Sequence, residues 1–148
     1  MAETTSTHHA GTWRYVLTIN AFPGSDPLTT RVALTDVGEA GPVVAFDWRT
    51  GNAETLEPGD GWDVTLPTAG WDYRVLAPVL ASGIAVIGDV ELFATAGDMR
   101  IAAVEPTDTG ARVTVLGAGE RVELTVWDDG LRTIDVDVPT RGWAVVDV

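Results

Sequence analysis

Residues 71–93 read WDYRVLAPVLASGIAVIGDVELF, and this stretch decides the fold. Trp71, Tyr73, Val75, Ala77 and Val79 fall on one side of an extended strand, with Asp72 and Arg74 on the other, the period-two pattern of a half-buried sheet. Ser82-Gly83 turns the chain. Ile84 to Gly88 is a nearly all-apolar run, β-branched and too short for a typical helix, which predicts a second strand buried on both faces. Gly88-Asp89 ends that strand, and Asp89 is suited to cap one helical turn through Phe93 by accepting from free N–H groups.

The same alternation recurs on both sides of this stretch. Upstream, strands are expected at Trp13 to Ile19, Arg31 to Thr35, Val43 to Trp48 and Trp62 to Leu66, separated by Asn20 to Pro27, Val37 to Gly41, Arg49 to Asn52 and Glu57 to Gly61. Downstream, Arg100 to Glu105, Arg112 to Leu116, Val122 to Trp127, Leu131 to Val138 and Trp143 to Val148 form a meander, with Asp129-Gly130 as a type I′ hairpin turn. About ten short strands with turns every 8 to 12 residues predict an all-β protein, an antiparallel β-sandwich. Residues 1–12 are expected to be a flexible polar tail, and residues 13–148 a single sandwich domain. The chain lacks the length and the helices of a (β/α)₈ barrel, which takes about 250 residues.

The aromatic strand closing on Ala77-Pro78-Val79, followed by a turn and Ala85-Val86-Ile87-Gly88-Asp89 leading to Phe93, resembles the C-terminal β-sandwich of family 36 glycoside hydrolases, in particular their raffinose-synthase-like and α-galactosidase-like members. Asp47-Trp48-Arg49-Thr50-Gly51 is similar to a second piece of that domain. The likeness runs from Trp13 to the C-terminus. It implies an accessory domain that packs on a catalytic barrel, and it carries no catalytic residue here, because the family's two aspartates lie in the barrel. The isolated chain is therefore expected not to be an enzyme. A start at Met1 just before the domain's first strand fits a piece detached from such an assembly.

Composition narrows the chemistry. The 148 residues include 22 Asp and Glu against 9 basic residues, all Arg, for a formal net charge of -13. Such a surface repels phosphate backbones and anionic lipid, so neither nucleic acid nor membrane is an expected partner. Either a genome rich in GC codons or adaptation to high salt accounts for the acidity. With no Cys, disulfides, thiolate metal sites and Cys nucleophiles are excluded; with no Lys, so is Schiff-base chemistry. No cofactor is expected. The amino-terminal residues have neither a basic nor an apolar signal region, so a soluble, cytoplasmic protein is expected.

The only histidines, His8 and His9, are adjacent in the expected tail, where solvation outweighs metal binding. Asp128, Asp129, Asp135 and Asp137 are candidate carboxylates. Paired glycosidase carboxylates, about 5 to 9.5 Å apart, also need a cleft, whereas Asp135 and Asp137 fall on an outward strand face. Among the six tryptophans, phase puts Trp13, Trp62 and Trp71 inside. Trp127 falls opposite Val122, Leu124 and Val126, leaving it for a sugar, a partner domain or ordinary cross-strand cover. Trp48 shares its phase with Phe46, but the turn leaves its side open. Trp127 and Trp48 are thus the candidate contact residues for a carbohydrate or a glycosidase-like catalytic domain, and a free-standing carbohydrate-binding module is the alternative to the accessory domain.

Overall fold

β-branched and aromatic side chains at alternate positions favour extended backbone, since each then packs on one side of a pleated surface. In the computed structural model, which describes residues 1–21, 24 and 26–148, this preference yields thirteen strands among the described residues. They are β1 (Ala2–His8), β2 (Gly11–Ile19), β3 (Leu28–Ala33), β4 (Val43–Asp47), β5 (Ala53–Leu56), β6 (Gly61–Leu66) and β7 (Trp71–Pro78). β8 (Ala85–Gly88), β9 (Ile101–Pro106), β10 (Ala111–Gly117), β11 (Arg121–Trp127), β12 (Leu131–Asp137) and β13 (Gly142–Asp147) complete the set. Three residues of the expected 20–27 loop lie outside the described residues.

Every strand pair is antiparallel. A five-stranded sheet in the order β1-β2-β7-β4-β5 forms the centre. One of its faces, carrying Trp13, Tyr15, Val44, Phe46, Tyr73 and Val75, packs with residues of the β12-β11-β8 and β13-β10-β9 sheets in the main core. This is the expected antiparallel sandwich. β8 is buried at all four positions, as its apolar run predicts.

The opposite face of the central sheet is not solvated. Val16, Val43, Ala45 and Leu76 project there into a second core, closed by Val32, Leu34, Val37, Trp62, Val64 and Leu66 from the two-stranded β3-β6 sheet and the 3-10 turn after β3. Alternation in β7 predicted a polar second face. Asp72 and Arg74 do occupy it, but Leu76 lies beside them and is fully buried. This two-stranded sheet makes a third layer over part of the sandwich.

The amino-terminal segment also departs from expectation. Residues 2–8 are a strand, not a free tail, and pair with β2 from Ala2↔Leu17 to His8↔Gly11. Its sequence, AETTSTH, has no apolar alternation because β1 is an exposed edge; its threonines supply β propensity instead. The strand expected at Arg31 to Thr35 is shifted: β3 ends at Ala33, and Leu34–Val37 form a single 3-10 turn. There the Asp36 carboxylate accepts the Ala33 N–H (3.0 Å) and Gly38 closes the turn at φ 67°.

The β11–β12 connection is a three-residue loop in which Asp129 alone has positive φ (53°), not the two-residue type I′ turn expected of Asp129-Gly130. After β8 the chain forms turns, not a helical turn. Asp89 still accepts from a nearby N–H, that of Glu91 (3.1 Å).

Candidate functional site

The most chemically varied surface lies where β4 ends against β7. Asp47 closes β4 by accepting the N–H groups of Arg49 (2.9 Å) and Thr50 (3.2 Å), a side-chain turn that fixes the next residues. Gly51, at φ 72°, lets the chain reverse into β5. Trp48 is thereby held over the end of β7, its N–H bonded to the Tyr73 carbonyl (3.1 Å) and its indole Nε1 donating to the Val90 carbonyl (2.9 Å).

Trp48 is the hub of an aromatic cluster. Phe93 stacks on it with centroids 4.6 Å apart, Tyr73 meets it edge-on at 6.3 Å, and Trp71 lies at 6.5 Å. Tyr73 also donates its hydroxyl to the Phe93 carbonyl (2.6 Å), and burial pushes its phenol up to about 12. Tyr73 is therefore a fixed donor near neutral pH and no base.

Trp71 is not interior, contrary to its phase. It is 37% exposed, because it pairs with Ile19, itself 46% exposed, where β2 and β7 run past the core. The Arg49 guanidinium lies 5.8 Å from its ring centroid, a cation–π contact. Beside Trp71 a cleft of about 430 Å³ is lined by Asp47, Arg49, Thr50, Asp63, Thr65, Asp72 and Arg74, among others. Its floor is a largely buried charge cluster in which Arg74 contacts both Asp47 and Asp72 at 3.4 Å, while Trp62 Nε1 donates to Asp72 (3.3 Å). An exposed indole bordered by carboxylate acceptors and guanidinium donors is chemically suited to a ligand with an apolar face and several hydroxyls.

The loop after β8 carries Phe93 and is fastened from several elements. Asp89 N–H donates to the Thr95 carbonyl (2.8 Å), the Thr95 hydroxyl to the Ile87 carbonyl, and Ala96 N–H to the Tyr15 hydroxyl (3.1 Å). His8 reaches the same loop through Nε2 to the Ala96 carbonyl (2.7 Å) and packs edge-on against Trp13. Asp89, almost wholly buried, contacts Arg100 Nε at 2.8 Å, though the N–H is poorly aimed for a hydrogen bond. Arg100 also binds Glu120 (2.6 Å), which holds the Glu120 carboxyl below the ordinary range.

The two candidate contact residues are not brought together: Trp48 joins the aromatic cluster, whereas Trp127 ends β11, paired with Leu131 and Ala85. Trp127 is half-buried against the main core, and Thr125, expected on the outward face with it, is buried. The tryptophan with the greatest exposure is Trp143 on β13, at 60%. Asp135 and Asp137 point outward and pair with Arg121 at 3.3 and 3.0 Å. His9 is exposed, and among the described residues no group of three or more His, Asp or Glu is placed to hold a metal.

Phe93, Arg49 and Trp71 were missed as surface residues by the sequence pattern. Phe93 sits on a loop without periodicity, and the exposure of Trp71 depends on where its strand outruns the core. The available signal was the Asp47-Trp48-Arg49-Thr50-Gly51 turn, which puts charge and indole next to each other. No protein-family model matches this chain, and no curated protein matches it.

Proposed function

We propose that this chain is a non-catalytic carbohydrate-binding module, with its ligand seated on Trp71 in the Asp47–Arg74 cleft. The observation that carries this reading is the half-exposed Trp71 ring beside Asp47, Asp72, Arg49 and Arg74. A pyranose presents an apolar face to an indole and hydroxyls at its rim, which carboxylates accept from and guanidinium groups donate to. Asp47 and Asp72 both contact Arg74, which favours a binding role for these carboxylates over acid–base catalysis. The resemblance of Trp71–Phe93 and Asp47–Gly51 to the family 36 glycoside hydrolase sandwich favours the same ligand class.

Calorimetric titration with galactosides and glucosides tests the proposal. Saturable binding is expected, weakened about tenfold or more in Trp71→Ala, since aromatic stacking contributes roughly 0.5–1.5 kcal/mol beyond the buried area. Circular dichroism of the variant should retain its β signal. Absence of saturable binding in the unaltered protein would sink the reading.

A second reading, an accessory domain that packs on a glycosidase-like barrel, is favoured by a different surface. Trp143 and Val145 alternate on the outward face of β13, 60% and 45% exposed, with Leu116 paired opposite Trp143. Such a patch suits docking against another domain. Co-expression with a barrel encoded beside this chain should give a complex that Trp143→Ser breaks and Trp71→Ala leaves intact.

A further inference from the structure

A groove of about 400 Å³ opens among Leu92, Phe93, Ala94, Gly97, Asp98 and Met99. Its wall is almost wholly apolar although it faces solvent, with Phe93 61% and Met99 93% exposed. Phe93 does not reach the surface by fraying. Its carbonyl is held by the Tyr73 hydroxyl and its ring is stacked on Trp48, so the loop presents it in a fixed place.

Phe93 also connects the groove to the cleft. One side of the aromatic row is Phe93 in the groove wall, the middle is Trp48 at 4.6 Å, and the far side is Trp71 in the cleft wall, 6.5 Å from Trp48. A polar compartment that includes Trp71 and an apolar one that includes Phe93 are therefore linked through the ring of Trp48. We propose that the two together take a single amphiphilic ligand, a neutral glycoside whose sugar rests in the Trp71 cleft and whose apolar aglycone lies in the Phe93–Met99 groove.

Charge decides between this occupant and others. Asp98 lines the groove on a chain of net charge -13, which disfavours anionic lipid headgroups and anionic aglycones. Two copies meeting at this face would set Asp98 and the negative surface of one against those of the other, a like-charge contact that works against self-association. An uncharged alkyl or aryl aglycone meets neither obstacle.

The inference rests on the carbohydrate reading, and the experiment separates their failures. Methyl and octyl galactosides, and the matching pair of glucosides, are titrated calorimetrically below the micelle concentration of the octyl compounds. Burying a methylene tightens binding roughly fourfold, so a gain of about tenfold or more for octyl over methyl needs only two of its carbons in the groove. Met99→Ser, at a site too exposed to endanger folding, should reduce that gain and leave the methyl glycoside unchanged; Phe93→Ser should abolish it. If the methyl glycoside binds and the octyl chain adds nothing, or its gain survives both substitutions, the groove assignment falls and the carbohydrate reading stands. If neither member of either pair binds, both fall. Concentration-dependent dimerisation of the unaltered protein that Met99→Ser reverses would give the groove to a second copy and overturn the assignment.

Discussion

Leu76→Ala tests whether the central sheet is covered on both faces. Leu76 is fully buried and belongs to the cluster that includes Val16, Ala45 and Trp62 on the side away from the main core. Truncation removes three carbons, about 2.4 kcal/mol at roughly 0.8 kcal/mol for each buried methylene. The same cluster holds Trp62 and Leu66, on a two-stranded sheet whose strands are hydrogen-bonded to each other and which cannot follow a single side chain inward. A cavity contribution therefore adds to the transfer loss, for a total of about 3–4 kcal/mol. With a urea m-value of about 2 kcal/mol/M, the midpoint should fall by roughly 1.5–2 M at unchanged m. Thr65→Ala, on the exposed face of β6, should cost less than about 0.5 kcal/mol. A Leu76→Ala loss under about 1 kcal/mol would mean that the β3-β6 sheet does not seal this face, and the three-layer architecture would be refuted.

Two glycines and one tyrosine supply further tests. Gly88 has φ 106°, and a Cβ there would overlap the Thr95 carbonyl, whereas Gly83 has φ 87° and open space around it. Gly83→Ala should cost about 1 kcal/mol from backbone strain alone, and Gly88→Ala distinctly more, with thermal melts of the pair as the measurement. Equal losses would refute the close approach of the two backbones. The Tyr73 phenol, raised by burial to about 12, favours the protonated folded state. The unfolded chain loses this proton near pH 10, so the stabilisation is complete below pH 10 and disappears as pH rises through about 12. The amount is roughly 2–3 kcal/mol, and it should be missing from alkaline denaturation of Tyr73→Phe.

How far the sequence reveals this molecule depends on what each element packs against. β8 was legible because a four-residue strand covered on both sides must be apolar throughout, and Ala85-Val86-Ile87-Gly88 is. β11 was legible over Val122 to Leu124 by strict alternation, but its irregular pairing with β8 between Thr125 and Val126 shifts the register and takes Thr125 inside. The second core left a trace that period-two counting passed over: Tyr15-Val16 and Val75-Leu76-Ala77 are unbroken apolar runs in otherwise alternating strands. Those consecutive residues are the ones buried on opposite faces of the sheet. β1 left almost none, since an edge strand of Thr, Ser and Glu is polar in both phases.

The candidate site was least legible because its aromatic row is assembled from parts that share no period. Trp48 comes from a turn, Trp71 from a strand end and Phe93 from a loop, and what aligns them is hydrogen bonding to backbone. The Trp48 indole is tied to Val90, the Tyr73 hydroxyl to Phe93, and the Thr95 hydroxyl to Ile87. Each bond takes a polar tip that burial would leave unsatisfied and spends it on a carbonyl of the β8 strand or of the loop that follows, so satisfying the interior fixes the surface. Tyr73 and Trp13 make the point from the main core, where Trp13 Nε1 donates to the Val86 carbonyl (2.6 Å) while its ring packs among apolar side chains. An aromatic residue with a donor at its end thus does two jobs in this chain. It fills the sandwich, and it sets the position of the segment that carries Phe93, which is why the exposure of that ring follows from buried residues far from it in sequence.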